Sequence, residues 1–340
     1  MTTIANSPTP PESPAAINRQ PAVYVAIVNY KTPELTIDCL RSLVDEIQPY
    51  PGSQVVVADN ASPDGSGEII AHAIAANGWS AWARLEKMPR NGGFAYGNNA
   101  VLRQGRIAAS PPRYFWLLNS DTIVRQGSLR ALVDFMESHP EAGIAGSRLE
   151  DPDGTQQTSA FRFPSVAGEF ETGTCAGPVS KLLARWVVPL PPLQNSGPCE
   201  WICGASMFVR AAMLQTTGLL DETYFLYFEE TDFCRAGRKQ GWPCWFVAES
   251  RVVHLRGQST PHIGTKRQSA YWFESRRHYF IKNHGRLYAI GADIALMSGT
   301  LINRIRKALT GQPSNIPEYF IFDLARNTAL LPHARKTKPI

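Results

Sequence analysis

The chain has 340 residues, 44% of them hydrophobic, which is enough apolar material for one large domain or two modest ones. A net charge of +5 is mild for this length and does not by itself signal nucleic acid, and no apolar run reaches the roughly eighteen residues that would predict a transmembrane helix. The six cysteines, at 39, 175, 199, 203, 234 and 244, follow no metal-finger spacing and no secretory segment precedes them, so buried free thiols in a reduced cytoplasmic compartment are expected. Cys199, Cys203, Cys234 and Cys244 could together supply four zinc ligands, but their irregular spacing makes free thiols the better account.

Residues 1–20 are rich in Pro, Ser, Thr and Ala and predict a disordered leader. Val23 to Val28 is a continuous β-rich run suited to a central strand covered on both faces. Asn29-Tyr30-Lys31 leaves that strand, Thr32 can cap and Pro33 suits a first helical position, while Leu40, Leu43, Val44 and Ile47 recur at helical spacing. Gln54 to Ala58 is a second buried strand ending in Asp59-Asn60-Ala61-Ser62. The Asp59 carboxylate can accept from a nucleobase N–H or ribose hydroxyls, whereas Asp64-Gly65 reads as turn chemistry. Ile69, Ile70, Ala73 and Ile74 mark the next helical face, and strand and helix in alternation predict a parallel sheet.

A short strand is expected over Arg84 to Lys87, followed by Asn91-Gly92-Gly93-Phe94-Ala95-Tyr96-Gly97-Asn98-Asn99-Ala100. Its glycines allow close backbone approach to a ligand and the residues after them can open a helix whose N-terminus favours phosphate, although a plain tight turn accounts for the glycines equally well. Trp116 to Leu118 is a buried strand with Asn119-Ser120-Asp121 at its tip, and a helix follows near Leu129 to Ser138. In open α/β sheets such tips lie in the ligand-binding crevice, and a carboxylate there can hold a hard divalent cation. Asn, Ser and Asp are also common turn and cap residues, so the tip alone admits either reading. Three strands nevertheless end in Asn29, Asp59 and Asp121 with the Asn91 loop between the last two, and that convergence outweighs each member.

Asp151-Pro152-Asp153-Gly154 reads as a turn, and the proline-punctuated stretch to Pro198 reads as binding loops. Trp201, just before Gly204, could stack on a sugar or belong to the core. Glu229, Glu230 and Asp232 precede Arg235, Arg238 and Lys239 on one helix ended by Gly241, a charge order that suits the helix dipole as well as chemistry. His254 closes a strand over Cys244 to Val253 and could ligate a metal. Tyr271 to Gly285 alternates aromatic and basic residues in a way that suits a helix at a lipid headgroup, with structural packing the alternative. Ile290 to Leu309 carries an amphipathic face of Ile294, Leu296, Met297, Leu301, Ile302 and Ile305. The late cations, from Arg276-Arg277-His278 through Arg304 and Arg306-Lys307 to the Arg335 to Lys338 tail, make an anionic membrane surface or a diphosphate-bearing partner a candidate, and a peripheral membrane contact is expected.

The ordered set Val25-Ala26-Ile27-Val28-Asn29-Tyr30, Val57-Ala58-Asp59-Asn60-Ala61-Ser62, Asn91-Gly92-Gly93-Phe94-Ala95, Leu118-Asn119-Ser120-Asp121, Gly204-Ala205-Ser206-Met207, Gly218-Leu219-Leu220-Asp221-Glu222, Phe225 through Arg235, and His254 resembles a family 2 glycosyltransferase, within it the bacterial rhamnosyltransferase-like branch. The resemblance covers about Val23 to Gly285 and implies a GT-A fold, an α/β architecture with a Rossmann-like, mostly parallel central sheet flanked by helices. Residues 21–150 would form its nucleotide-sugar half, 151–260 its acceptor and catalytic half, and 261–340 a C-terminal helical extension. By resemblance Asn29, Tyr30, Asp59, Asn91, Gly92, Gly93, Asn119 and Asp121 would bind the nucleotide sugar. Trp201, Gly204, Glu229 and Asp232 would face the acceptor, and Glu230 would be the general base of an inverting transfer. Asp121 and His254 would hold Mg2+ or Mn2+, with Asn119 replacing the first acid of the family's acid-x-acid tip. The branch further implies deoxythymidine-diphosphate rhamnose as donor and a polyprenyl-diphosphate-linked glycan as acceptor. The alternatives are a nucleotidyltransferase, which would need a basic phosphate loop that Asn29 to Pro33 lacks, and a catalytically weak sugar-nucleotide-binding module.

Overall fold

The computed structural model describes residues 22–255, 266–314 and 316–330. The expected leader over residues 1–20 and the stretch Arg335 to Lys338 lie outside the described residues. Strand β1 (Val23–Asn29) is followed by α1 (Pro33–Ser42), α2 (Val44–Ile47), β2 (Gln54–Asp59), α3 (Ser66–Ala76), β3 (Ala83–Lys87), α4 (Gly93–Arg106), β4 (Tyr114–Asn119), β5 (Thr122–Val124) and α5 (Ser128–Ser138). The chain continues through β6 (Ile144–Glu150), β7 (Ala160–Phe161), α6 (Val166–Thr174), α7 (Gly177–Leu182), β8 (Gly197–Cys199), β9 (Trp201–Ile202), β10 (Ser206–Arg210), α8 (Met213–Thr217), α9 (Glu229–Lys239) and β11 (Cys244–His254). Helices α10 (Ala270–His284), α11 (Arg286–Leu309) and α12 (Phe320–Leu330) complete it.

The central sheet runs β3-β2-β1-β4-β10-β6-β11-β5, with β8 pairing on β11. The β3-β2-β1-β4 half is wholly parallel. In the other half β10 lies antiparallel between β4 and β6, and β11 runs parallel to β6 and antiparallel to β5 and β8. Alternating side chains feed two apolar layers: Val25, Ile27, Val55 and Trp116 face one, Ala26, Val56, Phe115 and Leu117 the other. That double cover is why these strands read as unbroken hydrophobic runs. Every residue from Tyr114 to Leu118 is fully buried, so β4 is the axis of the sheet and its polar end must emerge at the edge of the core.

Thr32 occupies the N-cap position of α1, yet its hydroxyl makes no cap bond; Oγ1 donates to Asn29 Oδ1 (3.1 Å) and lies 3.0 Å from Ser120 Oγ. The expected cap is therefore a cross-strand link. The region expected to be irregular loop contains α6 and α7, because Ser165 caps α6 by accepting from Gly168 N (3.2 Å) while small residues on the helix mask its period.

Of the two readings open for α10, packing is the one observed. The alternating aromatic and basic residues of α10 are spent inside the protein: Phe273, Tyr279 and Phe280 are buried, and Arg276, only 1% exposed, donates to Glu169 Oε2 (2.9 Å) and pairs with Asp293. Helix α11 meets α6 almost backbone to backbone, since a Cβ at Gly299 would sit 2.5 Å from the Phe170 carbonyl oxygen and one at Gly173 2.7 Å from that of Leu296. Of the face anticipated for α11, Leu296 is buried whereas Ile294, Leu301, Ile302 and Ile305 point outward. No helix among the described residues is long and apolar enough to cross a membrane.

Replacing Gly299 by valine should push α6 and α11 apart. An overpacking penalty of about 1–3 kcal/mol is expected, visible as a lower melting temperature in calorimetry; an unchanged melt would show that the helices do not rely on this contact.

Candidate active site

The parallel half of the sheet brings the ends of β1, β2 and β4 together. Asn29, fully buried, is the hub: its Nδ2 donates to Asp59 Oδ1 (2.7 Å) and Ser62 Oγ (3.3 Å), while its Oδ1 accepts from Thr32 N (3.3 Å) and Thr36 Oγ1 (3.0 Å) as well as Thr32 Oγ1. Ser62 also grips Asp59, through Oγ to Oδ1 (2.6 Å) and N to Oδ2 (3.3 Å), and the intervening Ala61 adopts a left-handed φ of 55°. Asp59 thus has a fixed orientation. Tyr30 lies half-buried in the loop just beyond, with the Lys31 ammonium 5.1 Å from its ring centre.

Asn91 opens α4 by accepting from Gly93 N at its Oδ1 (3.1 Å), and Asn60 Nδ2 donates to the Gly93 carbonyl (2.9 Å). The close approach that requires glycine is internal. Gly93 has a φ of 86°, a Cβ on it would fall 1.8 Å from the Phe225 carbonyl oxygen, and Phe94 N donates to that same oxygen (3.0 Å). A Cβ on Gly92 would strike the Tyr96 ring at 2.4 Å.

At the β4–β5 turn the Asp121 side chain is 1% exposed, and its Oδ1 lies 3.6 Å from His254 Nε2. Asn119 Nδ2 is 3.5 Å from the same nitrogen. The backbone fastens this corner, with Leu255 N donating to the Asp121 carbonyl (2.9 Å) and Gln157 Nε2 to that of His254 (2.8 Å). A carboxylate and an imidazole so placed, with an amide oxygen at Asn119, fit a divalent cation that completes its shell with phosphate oxygens and water. Among the described residues no set of three or more His, Cys, Asp or Glu side chains is grouped to hold a metal, so the protein would supply a minority of the ligands.

Opposite lies the acidic segment. Tyr227 and Phe228 are both left-handed, with φ of 70° and 69°. Two adjacent non-glycine residues in that region cost of order 1–3 kcal/mol each. The segment is held by packing: Phe228 contacts Tyr279 at a centroid separation of 5.6 Å, and Ser275 Oγ donates to the Leu226 carbonyl (3.0 Å). This sharp entry aims the first turn of α9. Glu229 points inward and is 3% exposed; burial first, and the adjacent Glu230 second, hold its carboxyl well above the usual range. Glu230 stays partly open, its Oε2 has no protein hydrogen-bond partner among the described residues, and burial lifts its carboxyl to about 7. A Cβ on Gly204 would lie 3.2 Å from the Phe94 ring and 3.7 Å from Glu230 Cβ, so the Asn91 loop, Gly204 and Glu230 converge. Ala205, next in the chain, accepts from Asn119 N (3.1 Å) and ties that cluster to the β4 tip.

Two residues expected on the acceptor side are engaged elsewhere. Asp232 accepts from Lys282 Nζ (2.6 Å) and Asn283 Nδ2 (2.7 Å), which turns it toward α10. Trp201 stacks on Phe161 at 4.1 Å and donates from Nε1 to the Arg162 carbonyl (2.8 Å), so packing accounts for that ring face and its N–H. All six cysteines are free thiols, with Cys39, Cys234 and Cys244 buried and Cys175 exposed.

Comparison with known proteins accords with this arrangement. Residues 24–175 match the model for Glycosyl transferase family 2. These residues therefore carry a family 2 glycosyltransferase domain, and the chain is a glycosyltransferase. It is similar to the N-acetylglucosaminyl-diphospho-decaprenol L-rhamnosyltransferase of Mycobacterium tuberculosis, 27% identical over 244 residues that span 66% of this chain and 75% of that protein. In fold it is similar to a mannosyltransferase from Pyrobaculum calidifontis in complex with GDP-Man and Mn2+, with a TM-score of 0.55, 15% identity, and coverage of 92% of this chain and 80% of that one. The structure of GalNAc-T7 with UDP, GalNAc and Mn2+ gives a TM-score of 0.53 at 13% identity, over 77% of this chain and half of that one. Both neighbours place the glycosyltransferase in the GT-A fold.

Two further residues organise the site of this glycosyltransferase through partners distant in sequence. Gln157 bridges Asp151 Oδ1 (2.7 Å) and the His254 carbonyl across the sheet. Asp221 accepts from His278 Nε2 (3.0 Å), Lys282 Nζ (2.7 Å) and Thr223 N (2.9 Å), contacts that hold its carboxyl well below the usual range and join the approach to α9 to α10. Asp221 belongs to the Gly218 to Glu222 motif, whereas Gln157 belongs to none.

A methyl group at Gly93 cannot be accommodated without moving the Phe225 carbonyl, and with it the entry to α9. Gly93→Ala should therefore lower turnover by at least about tenfold while leaving a cooperative melt. Wild-type turnover in this variant would show that the loop and the acidic segment are not rigidly coupled.

Proposed function

We propose that this glycosyltransferase moves a sugar from a nucleoside-diphosphate donor to a hydroxyl of a polyprenyl-diphosphate-linked glycan in cell-envelope synthesis, by single displacement with inversion. Glu230 carries the reading, as a half-buried residue whose Oε2 is itself buried without a hydrogen-bond partner among the described residues and whose proton affinity lies near neutrality. A base poised near the working pH is what removal of an acceptor proton requires, and proton transfer of this kind typically contributes about 10²–10⁴-fold. The acceptor class is supported by the mycobacterial relative, whose name specifies a diphospho-decaprenol-linked sugar and the transfer of L-rhamnose. Deoxythymidine-diphosphate rhamnose is accordingly the proposed donor.

In this mechanism Asp59, oriented by Asn29 and Ser62, accepts from the nucleobase, with Tyr30 and the Asn91-Gly92-Gly93 turn bordering the nucleotide. Asn119 hydrogen-bonds ribose or sugar hydroxyls. Asp121 and His254 would hold a divalent cation, Mg2+ or Mn2+, which when bound supplies positive charge against the departing diphosphate; the Mn2+ bound in both GT-A neighbours supports this choice. The acceptor hydroxyl attacks the anomeric carbon as the bond to the diphosphate oxygen breaks, and its proton passes to Glu230. Glu229, held neutral by burial, keeps a second negative charge away from Glu230.

Glu230→Gln should leave donor affinity within about twofold and reduce transfer at least about 10²-fold. Wild-type turnover should rise with pH and level off above about 7, as Glu230 ionises. The folded-state pKa of Glu230 is raised, so its contribution to stability is present below the ordinary 4.5 and lost as pH rises through about 7. The glutamine variant should therefore gain more in melting temperature over wild type at pH 8 than at pH 5. Retained turnover would move the base elsewhere.

A thermal-shift panel of nucleoside diphosphates with and without Mn2+ tests the donor half, because a ligand at about 100 times its Kd stabilises the folded state by about 2.7 kcal/mol. The largest shift is expected from deoxythymidine diphosphate with Mn2+, with the Mn2+-dependent part lost in Asp121→Asn. Equal shifts in that variant would exclude Asp121 as the ligand.

A further inference from the structure

We propose that α11 is a membrane-docking element whose outward ridge enters the headgroup region of an anionic bilayer. Leu287, Ile290, Ile294, Leu301, Ile305 and Leu309 are each between 43% and 86% exposed. Their spacings of three, four, seven, four and four residues place them on a single stripe along the helix. Soluble helices arrange the opposite polarity. Here the face turned to the protein carries Asp293, Thr300 and Asn303 together with Ala289, Ala292, Gly299 and Leu296, all buried, while Leu287, Ile290, Ile294, Leu301, Ile305 and Leu309 face away. The 24 residues of α11 extend about 36 Å, so the ridge is a continuous apolar surface of the kind that marks an interaction site rather than a scatter of single exposed residues.

Charge selects the occupant. Between Arg286 and Thr310 the sole acid is Asp293, which is turned inward and paired with Arg276 and Arg277. Arg286 stands at one end of the helix and Arg304, Arg306 and Lys307 at the other, and among the described residues no carboxylate pairs with any of the four. The hydrogen bonds of Arg304 and Arg306 go to backbone carbonyls, which leave their charge uncompensated. A second copy laid on the ridge would set cations against cations in either direction, with no acid on the face to answer them. An apolar layer beneath anionic headgroups satisfies both parts, since the aliphatic side chains enter the acyl boundary while the flanking cations meet phosphate. The docked helix is one layer from the candidate base, because α10 packs against α11 on one side and against Phe228, at the entry to α9, on the other.

The test uses the full chain and vesicles of phosphatidylcholine with or without phosphatidylglycerol, in the absence of donor and acceptor. Its result is therefore independent of whether the glycosyl-transfer reading stands. The protein should co-float with the phosphatidylglycerol vesicles, more weakly with phosphatidylcholine alone and more weakly at high salt. The double variant Ile294→Ser with Leu301→Ser should bind at least about tenfold more weakly, with a melting temperature no lower than wild type because neither side chain is buried. Leu287→Ser with Leu309→Ser, at the most exposed positions, should behave alike and guards against a local folding defect. Absence of wild-type binding, or equal binding by both double variants, would overturn the proposal. So would light scattering that shows a wild-type dimer dissolved by the same substitutions, which would assign the ridge to a second copy of the chain.

Discussion

The contact on which the site depends is the approach of the Gly93 backbone to the Phe225 carbonyl. Phe225 belongs to the segment that leads into α9, and Gly93 starts α4 at the end of the nucleotide-side loops. The hydrogen bond from Phe94 N to Phe225 O joins these elements without a side chain between them. Its net worth is of order 1 kcal/mol, less than the strain in the two left-handed residues that follow. The aromatic packing of Phe228 on α10 and the bond from Ser275 to Leu226 must supply the rest. The orientation of Glu230 is thus set jointly by the sheet and by the C-terminal helices.

The second constraint is electrostatic. Asn29 donates from one end of its amide and accepts at the other, and an aspartate in its place would set two carboxylates 2.7 Å apart at the β1 and β2 tips. The amide thus anchors Asp59 without adding charge. Asn119 acts in the same sense at the β4 tip: an acid there would add charge beside the buried Asp121, whereas the amide keeps a polar group near His254 without it. With Glu229 held neutral as well, charge in this cleft is confined to a few positions.

The sheet was legible because both faces of its parallel half are covered, so each central strand is an uninterrupted apolar run whose polar end is visible in one dimension. The expected spans of β1, β2 and α5 lie within a residue of those observed. The tips of those strands could be named for the same reason. What could not be read is what depends on distant pairing. The cross-strand use of the Thr32 hydroxyl, the bond from Gln157 to the His254 carbonyl and the Asp221 contacts with α10 involve partners between 57 and 97 residues away, for which local pattern holds no signal. Gly93 illustrates the intermediate case: its sequence admitted a close approach to a ligand or a plain tight turn, and the close neighbour is the Phe225 backbone.

Helix α11 was legible from periodicity as an amphipathic helix, although Leu296 of the named stripe is turned inward. A stripe at helical spacing establishes that two faces differ, not which of them meets the protein. On α11 the decision rests with Gly173 and Gly299, whose missing Cβ atoms let α6 and α11 touch along their backbones and commit the small-residue side to the interior. Once that side is inward Asp293 must be buried, and the guanidinium of Arg276, shared with Glu169, neutralises it. A buried pair of this kind adds little net stability against an apolar alternative, but removing one partner leaves an uncompensated charge costing about 3–5 kcal/mol. The network therefore fixes which way α11 faces, and the aliphatic ridge on its far side is the consequence.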